Sequence, residues 1–160
     1  IVDRFEDFCS LQQTKEEEVG LSRMMAGFAW KWETKNNKDA FDIVIEGIPK
    51  RWNSTQKDWV NSANAVNEVG CIHTVQGYDL NYGFVILGPD IYYDSNKDAV
   101  NVNRANFKDA VAKKKASDDD LQKIIVNAYY VLMTRGMLGT YLYVCDPALK
   151  EYLSRYIPAI

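Results

Sequence analysis

Short, wholly apolar runs set apart by one long helical repeat constrain this chain more than any other feature. Phe84-Val85-Ile86-Leu87-Gly88 and Thr140-Tyr141-Leu142-Tyr143-Val144 are too short for helices and read as strands. Between them, Leu121, Ile124, Ile125, Ala128 and Leu132 recur at helical spacing. Ser117 with Asp120 three residues later forms a capping box, Asp118 and Asp119 suit the positive end of the helix dipole, and Gly136 is placed to stop the helix. A further strand is expected within Leu21–Trp32, with Gly27 inside it, and another over 69–74. Strands near 25–31, 70–74, 84–88 and 140–145, with helices between the later ones, predict an α/β domain with a mostly parallel sheet flanked by helices.

The other segments fit around that sheet. Residues 3–18 read as a helix with Phe5, Phe8, Cys9 and Gln12 near one face and Lys15-Glu16-Glu17-Glu18 as its solvated end. The segment from about 40 to 60 is expected to form a small antiparallel ribbon. It holds Phe41 to Ile48, which alternates and ends at Pro49 on a sheet edge. From about 92 to 116 the composition turns to Asn, Lys and Asp, a polar excursion with a short strand near Ala99–Val102 and a helix ending in Lys113-Lys114-Lys115. Pro147 opens a last helix through Tyr156.

At 160 residues this is one domain, 1–160, with 47% hydrophobic and 26% charged residues, the balance of an ordinary globular protein. The net charge of −3 leaves no broad basic field to attract nucleic acid, so any such contact is local. Cys9, Cys71 and Cys145 have no close spacing and read as reduced thiols, which points to a cytoplasmic protein; a single histidine argues against any metal site. There is no membrane-length apolar run and no signal peptide, and the start at Ile1 suggests a piece of a longer protein.

Two constellations could carry chemistry. In Cys71-Ile72-His73-Thr74-Val75-Gln76-Gly77-Tyr78-Asp79 an apolar run breaks into a polar loop, which in an α/β sheet belongs at the carboxyl edge, where such sheets bind ligands. Gly77 allows a tight turn, His73 and Thr74 can donate to a phosphodiester, and Gln76 can both donate and accept. In the bland reading, His73 is a satisfied strand-end histidine and Asp79 a turn cap. The second constellation is Thr134-Arg135-Gly136, where a guanidinium at a helix end either projects from the rim or binds the last helix carbonyls. Trp30, Trp32, Trp52 and Trp59 read as core or ribbon packing, whereas Tyr78 and Tyr82, in the loop, are the better candidates for stacking on bases. Lys50 and Arg51 beside Trp52 form a small basic-aromatic cluster. A metal-dependent nuclease built on Glu46, Asp79 and Asp90 is the rival enzyme, and a non-catalytic interaction module is the third reading.

These two constellations resemble motifs V and VI of superfamily 1 helicases. Leu21-Ser22-Arg23, Ala26-Gly27-Phe28-Ala29-Trp30, Arg51-Trp52-Asn53, Val66-Asn67-Glu68-Val69-Gly70-Cys71-Ile72-His73-Thr74, Leu132 to Gly136 and Tyr143-Val144-Cys145-Asp146 together resemble a bacterial group, the Schlafen group 3-like DNA/RNA helicase domains, over about four fifths of the chain. The resemblance implies a second, C-terminal RecA-like lobe of an NTP-driven helicase or translocase. In that lobe Arg135 would be the arginine finger. Gln76, Gly77, Asp79 and Thr134 would face the nucleotide cleft, and His73, Thr74, Tyr78 and Tyr82 the single-stranded DNA or RNA. Superfamily 1 proteins often carry Glu where Asp79 stands; Asp is one methylene shorter. No Gly-x-x-x-x-Gly-Lys-Ser/Thr loop occurs here. The resemblance therefore implies that ATP and Mg²⁺ are held mainly by an N-terminal lobe preceding Ile1 and acting in cis, that the chain alone carries no cofactor, and that a nuclease module is sometimes fused to such proteins.

Overall fold

The computed structural model describes residues 1–160. Its elements run α1 (Phe5–Val19), β1 (Ser22–Ala26), β2 (Ile43–Ile45), β3 (Ile48–Lys50), β4 (Val69–Gly70), α2 (Ile72–Val75), β5 (Leu80–Leu87), β6 (Ile91–Asp94), β7 (Ala99–Val102), α3 (Ala110–Lys115), α4 (Asp118–Met133), β8 (Gly136–Val144) and α5 (Pro147–Leu153). Four strands form a parallel sheet in the order β4-β1-β5-β8, and β2-β3 and β6-β7 are separate antiparallel pairs. The expected α/β class and the small ribbon are both observed.

Alternation along the strands explains why both sheet faces are covered. Met24, Phe84, Ile86 and Tyr143 point into one apolar cluster, beneath Phe5 and Phe8 of α1. Their neighbours Met25, Val85, Leu87, Leu142 and Val144 point into the other, beneath Leu121, Ile125, Tyr129 and Leu132 of α4. With no solvated face, the strands carry the near-continuous apolar runs seen in the sequence. Ser117 accepts the Asp120 N–H at 3.2 Å, as its capping position predicts. In the β2–β3 ribbon, Glu46 and Gly47 both have positive φ (50° and 78°), the turn geometry that a two-residue hairpin requires.

The last helix ends at Leu153, short of the expected Tyr156, and three other boundaries differ from expectation. The strand expected over 69–74 stops at Gly70, because the Asn53 side-chain oxygen accepts the Cys71 N–H and the Thr74 hydroxyl donates to the Cys71 carbonyl, winding the chain into α2. The strand in Leu21–Trp32 ends at Ala26, since Gly27 passes so close to Tyr129 that a Cβ there would sit 2.6 Å from its hydroxyl, and the Ala29 N–H then turns back to the Gly27 carbonyl. Finally, α4 ends at Met133, and Gly136 opens β8 rather than stopping the helix.

Candidate functional site

The parallel sheet has two rims, and the candidate residues divide between them. At the amino rim, the Leu80 N–H donates to the Arg135 carbonyl at 2.9 Å, so Asp79 and Arg135 stand beside each other where β5 and β8 begin. Gly77, at φ 88°, turns the chain from α2 toward this rim. Gln76 and Asp79 are exposed. Arg135 is half-buried; its Nε donates to the Val131 carbonyl at 3.1 Å, and the Thr134 hydroxyl donates to the same carbonyl at 3.0 Å. The guanidinium therefore binds its own helix end through Nε and, at 3.5 Å, through Nη2 on the Thr134 hydroxyl, yet it pairs with no carboxylate, and Nη1 is uncommitted.

A bulge shapes this rim. Leu80 pairs with Gly136 and Tyr82 with Gly139, so Met137 and Leu138 stand against Asn81 alone and are thrown outward, 66% and 60% exposed. Gly136 permits that bend: a Cβ there would lie 2.1 Å from the Gly139 carbonyl oxygen.

His73 lies at the opposite, carboxyl rim. It is exposed and packs against Phe28, with ring centroids 5.7 Å apart and the planes tilted at 43°, just past the end of β1. The 73–79 segment thus runs from one rim to the other, and only its first part lies at the carboxyl edge where the whole loop was expected. Thr74 is buried, its hydroxyl held by the Cys71 carbonyl at 2.9 Å, so it secures the short helix instead of facing solvent. Tyr82 is a strand residue, not a loop residue, packed on Tyr141 and under the Lys15 ammonium. Tyr78 is half-buried against the α4-side core, and hydrogen bonding with the Asp58 carboxylate raises its phenol above its ordinary value. Neither tyrosine lines a surface with His73.

A cleft of about 630 Å³ opens at this carboxyl rim, lined by Phe28, Trp30, Trp32, Lys35, His73 and Lys108 among others. Trp52 stands buried behind it, 6.0, 6.5 and 5.8 Å from Phe28, Trp30 and Trp32. Packing is the correct reading for Trp52 and Trp59, but Trp30 and Trp32 remain half-exposed in the cleft wall. Their spacing of two in the sequence was the available signal, since such residues share a side of extended chain. The basic-aromatic cluster at Lys50–Trp52 does not assemble: Trp52 is buried, and Arg51 lies over Phe41.

Beyond Phe28 and His73 lies a smaller chamber of about 180 Å³, with Asp90 and Tyr129 in its wall. The Tyr129 hydroxyl accepts the Gly88 N–H at 2.9 Å and donates to Asp90 Oδ1 at 2.6 Å, while the buried Oδ2 has no partner. Burial pushes the Asp90 carboxyl up to about 6, the Tyr129 hydrogen bond opposing it. The carboxylates of the nuclease reading are not brought together. Asp79 is at the amino rim, Asp90 beyond β5, and Glu46 accepts from the Phe5 N–H and the Tyr143 hydroxyl. No group of three His, Cys, Asp or Glu is placed to hold a metal ion. No helix is long and apolar enough to cross a membrane.

The chain is similar to the uncharacterised protein YPL245W of Saccharomyces cerevisiae, at 35% identity over 150 residues. The match covers 88% of this chain but 33% of the yeast protein, so the chain spans about a third of that relative's length. The relative is a yeast protein, and the bacterial attribution expected from the sequence is not carried by it. No solved structure matches. The sequence profile described as Schlafen group 3, DNA/RNA helicase domain, matches residues 1–146, and the chain belongs to that family.

Proposed function

We propose that this domain is the second motor lobe of an NTP-dependent DNA or RNA translocase. The observation that carries the reading is the Arg135 guanidinium, free of any carboxylate and held by the Leu80–Arg135 backbone bond beside Gln76 and Asp79. A guanidinium is always charged and offers several donors in one plane, which suits a γ-phosphate presented by a facing lobe. Gln76 and Asp79 then line the same cleft, and Thr134 fixes the helix end from which Arg135 extends. His73, at the other rim, faces the strand. Because α2 connects the rims, closure of the amino-rim cleft on a triphosphate can move the carboxyl-rim grip, and hydrolysis can release it. ATP with Mg²⁺ is the expected substrate, bound mainly by the other lobe in cis. A fused nuclease module, where such a motor carries one, is a separate unit from this lobe.

The test is Arg135→Ala in the protein carrying both lobes. NTP turnover is expected to fall by roughly 10³ to 10⁵, the usual worth of such a finger, with nucleotide affinity nearly retained. Wild-type turnover in that variant removes the finger assignment. Chain 1–160 alone is expected to hydrolyse nothing, and measurable ATPase from it contradicts the division of labour between lobes.

A further inference from the structure

We infer that the carboxyl-rim cleft is a stacking site for unpaired bases of a single nucleic-acid strand, with Trp30 as its principal platform. This rests on the reading of the carboxyl rim as the strand-binding face, but it does not require Arg135 or any NTP chemistry.

The cleft's volume of about 630 Å³ lies within the ordinary range of ligand sites, roughly 300–1,000 Å³. Its wall is aromatic, and the rings are held from behind. Trp52, 1% exposed, touches Phe28, Trp30 and Trp32, and it meets Trp30 edge to face at 63°. Rings fixed in this way lose little freedom when a base settles on them, so stacking energy is not spent on ordering the site. Exposure separates the two roles: Trp52 and Trp59 are covered, whereas Trp30 and Trp32 are left partly open in a concave wall.

Charge chooses the ligand. Lys35 holds its ammonium 4.3 Å from the Trp32 ring centroid, and the exposed Lys108 lies on the facing segment. The one carboxylate in the cleft lining, Asp109, is engaged by the Val111 and Ala112 N–H groups at 3.0 Å each, as the cap of α3. The cleft thus offers aromatic surface, two lysines and the exposed His73 in a chain whose net charge is −3. Bases on rings and phosphates on ammonium groups are the pairing that single-strand sites use. A duplex, whose bases are stacked on each other, offers nothing to Trp30.

The test uses a fluorescein-labelled single-stranded oligothymidylate, the same length of duplex, and thymidine monophosphate, with no NTP present. Binding is read by anisotropy and by quenching of tryptophan fluorescence. The oligothymidylate is expected to bind more tightly than the duplex. Trp30→Ala is expected to weaken it about 5- to 100-fold, while Trp30→Phe, which keeps a ring, restores most of the loss. Lys35→Ala and Lys108→Ala are each expected to lower the slope of log affinity against log salt by about 0.7. Far-UV circular dichroism confirms that each variant folds. Unaltered affinity in folded Trp30→Ala overturns the proposal. So does monophosphate binding as tight as that of the oligonucleotide, which would make the cleft a mononucleotide pocket. Since no turnover is measured, failure here leaves the Arg135 experiment standing, and failure there leaves this one standing.

Discussion

Replacing Asp90 by Asn tests the internal electrostatics of the fold with a predictable sign. Asp90 is buried at the carboxyl rim, has one oxygen on the Tyr129 hydroxyl and the other unpartnered, and burial raises its carboxyl from an ordinary 3.8 to about 6. Between about pH 4 and pH 6 the folded chain therefore holds a proton that the unfolded chain has released, and stability falls as pH rises through that window. About two pH units at roughly 1.4 kcal/mol each make the cost of ionising Asp90 in place about 3 kcal/mol. Asn cannot ionise, so the stability of Asp90→Asn relative to wild type is expected to grow by about 3 kcal/mol from pH 4 to pH 7. The orphan amide of Asn adds an offset, but one that does not vary with pH. The carboxylates whose values lie below ordinary run the opposite way: Asp3 through Lys150, and Glu46 through the Phe5 N–H and Tyr143. They are the same in both proteins and cancel in the difference. Urea unfolding followed by circular dichroism across this range gives the difference directly. A difference that is flat with pH refutes the reasoning. In Tyr129→Phe, which removes the bond that favours the carboxylate, the wild-type step is expected to move to higher pH.

Two further substitutions test local geometry. Gly136→Ala places a Cβ 2.1 Å from the Gly139 carbonyl oxygen, which is backbone and cannot swing away; a loss of about 1–3 kcal/mol is expected in urea unfolding, and wild-type stability contradicts the bulge geometry. Ser117→Ala removes the acceptor for the Asp120 N–H, and about 1 kcal/mol is expected, with Ser117→Asp restoring it.

The fold was legible where a local rule and the tertiary environment agree. Val85 and Leu87 on one face, and Phe84 and Ile86 on the other, form a continuous apolar run because both faces are covered, and a run of that length has no other use than a buried strand. Ser117 announced α4 because its cap is a bond within four residues. The segment after Gly70 was misread because its conformation is decided from a distance: Asn53, far back in the chain, takes the Cys71 N–H and stops the strand. The same long-range effect hid the tryptophan cleft. Beyond the two-residue spacing of Trp30 and Trp32, nothing local distinguishes Trp30 from Trp52, but one is left partly open in a wall and the other is sealed behind it. For Arg135 the helix-end reading is the one observed, since Nε donates to the Val131 carbonyl and Nη2 to the Thr134 hydroxyl, with Nη1 left unbonded.

Adjacency in sequence also proved a poor guide to adjacency in function. His73 and Gln76 are three residues apart, which suggested one site, yet β5 must begin at the far rim, so the chain spends the intervening residues crossing the sheet. Asp79 and Arg135 are distant in sequence and are brought side by side by the bond from the Leu80 N–H to the Arg135 carbonyl, where two parallel strands begin to pair. A parallel sheet gathers residues by rim, and it opposes the two rims across the length of its strands. The proposed function draws on that opposition, because it assigns a triphosphate to one rim and a strand to the other. The short α2, anchored by Thr74 on Cys71, carries the chain from His73 toward Gln76, so the proposed coupling between the rims has a path through it as well as through the strands of the sheet.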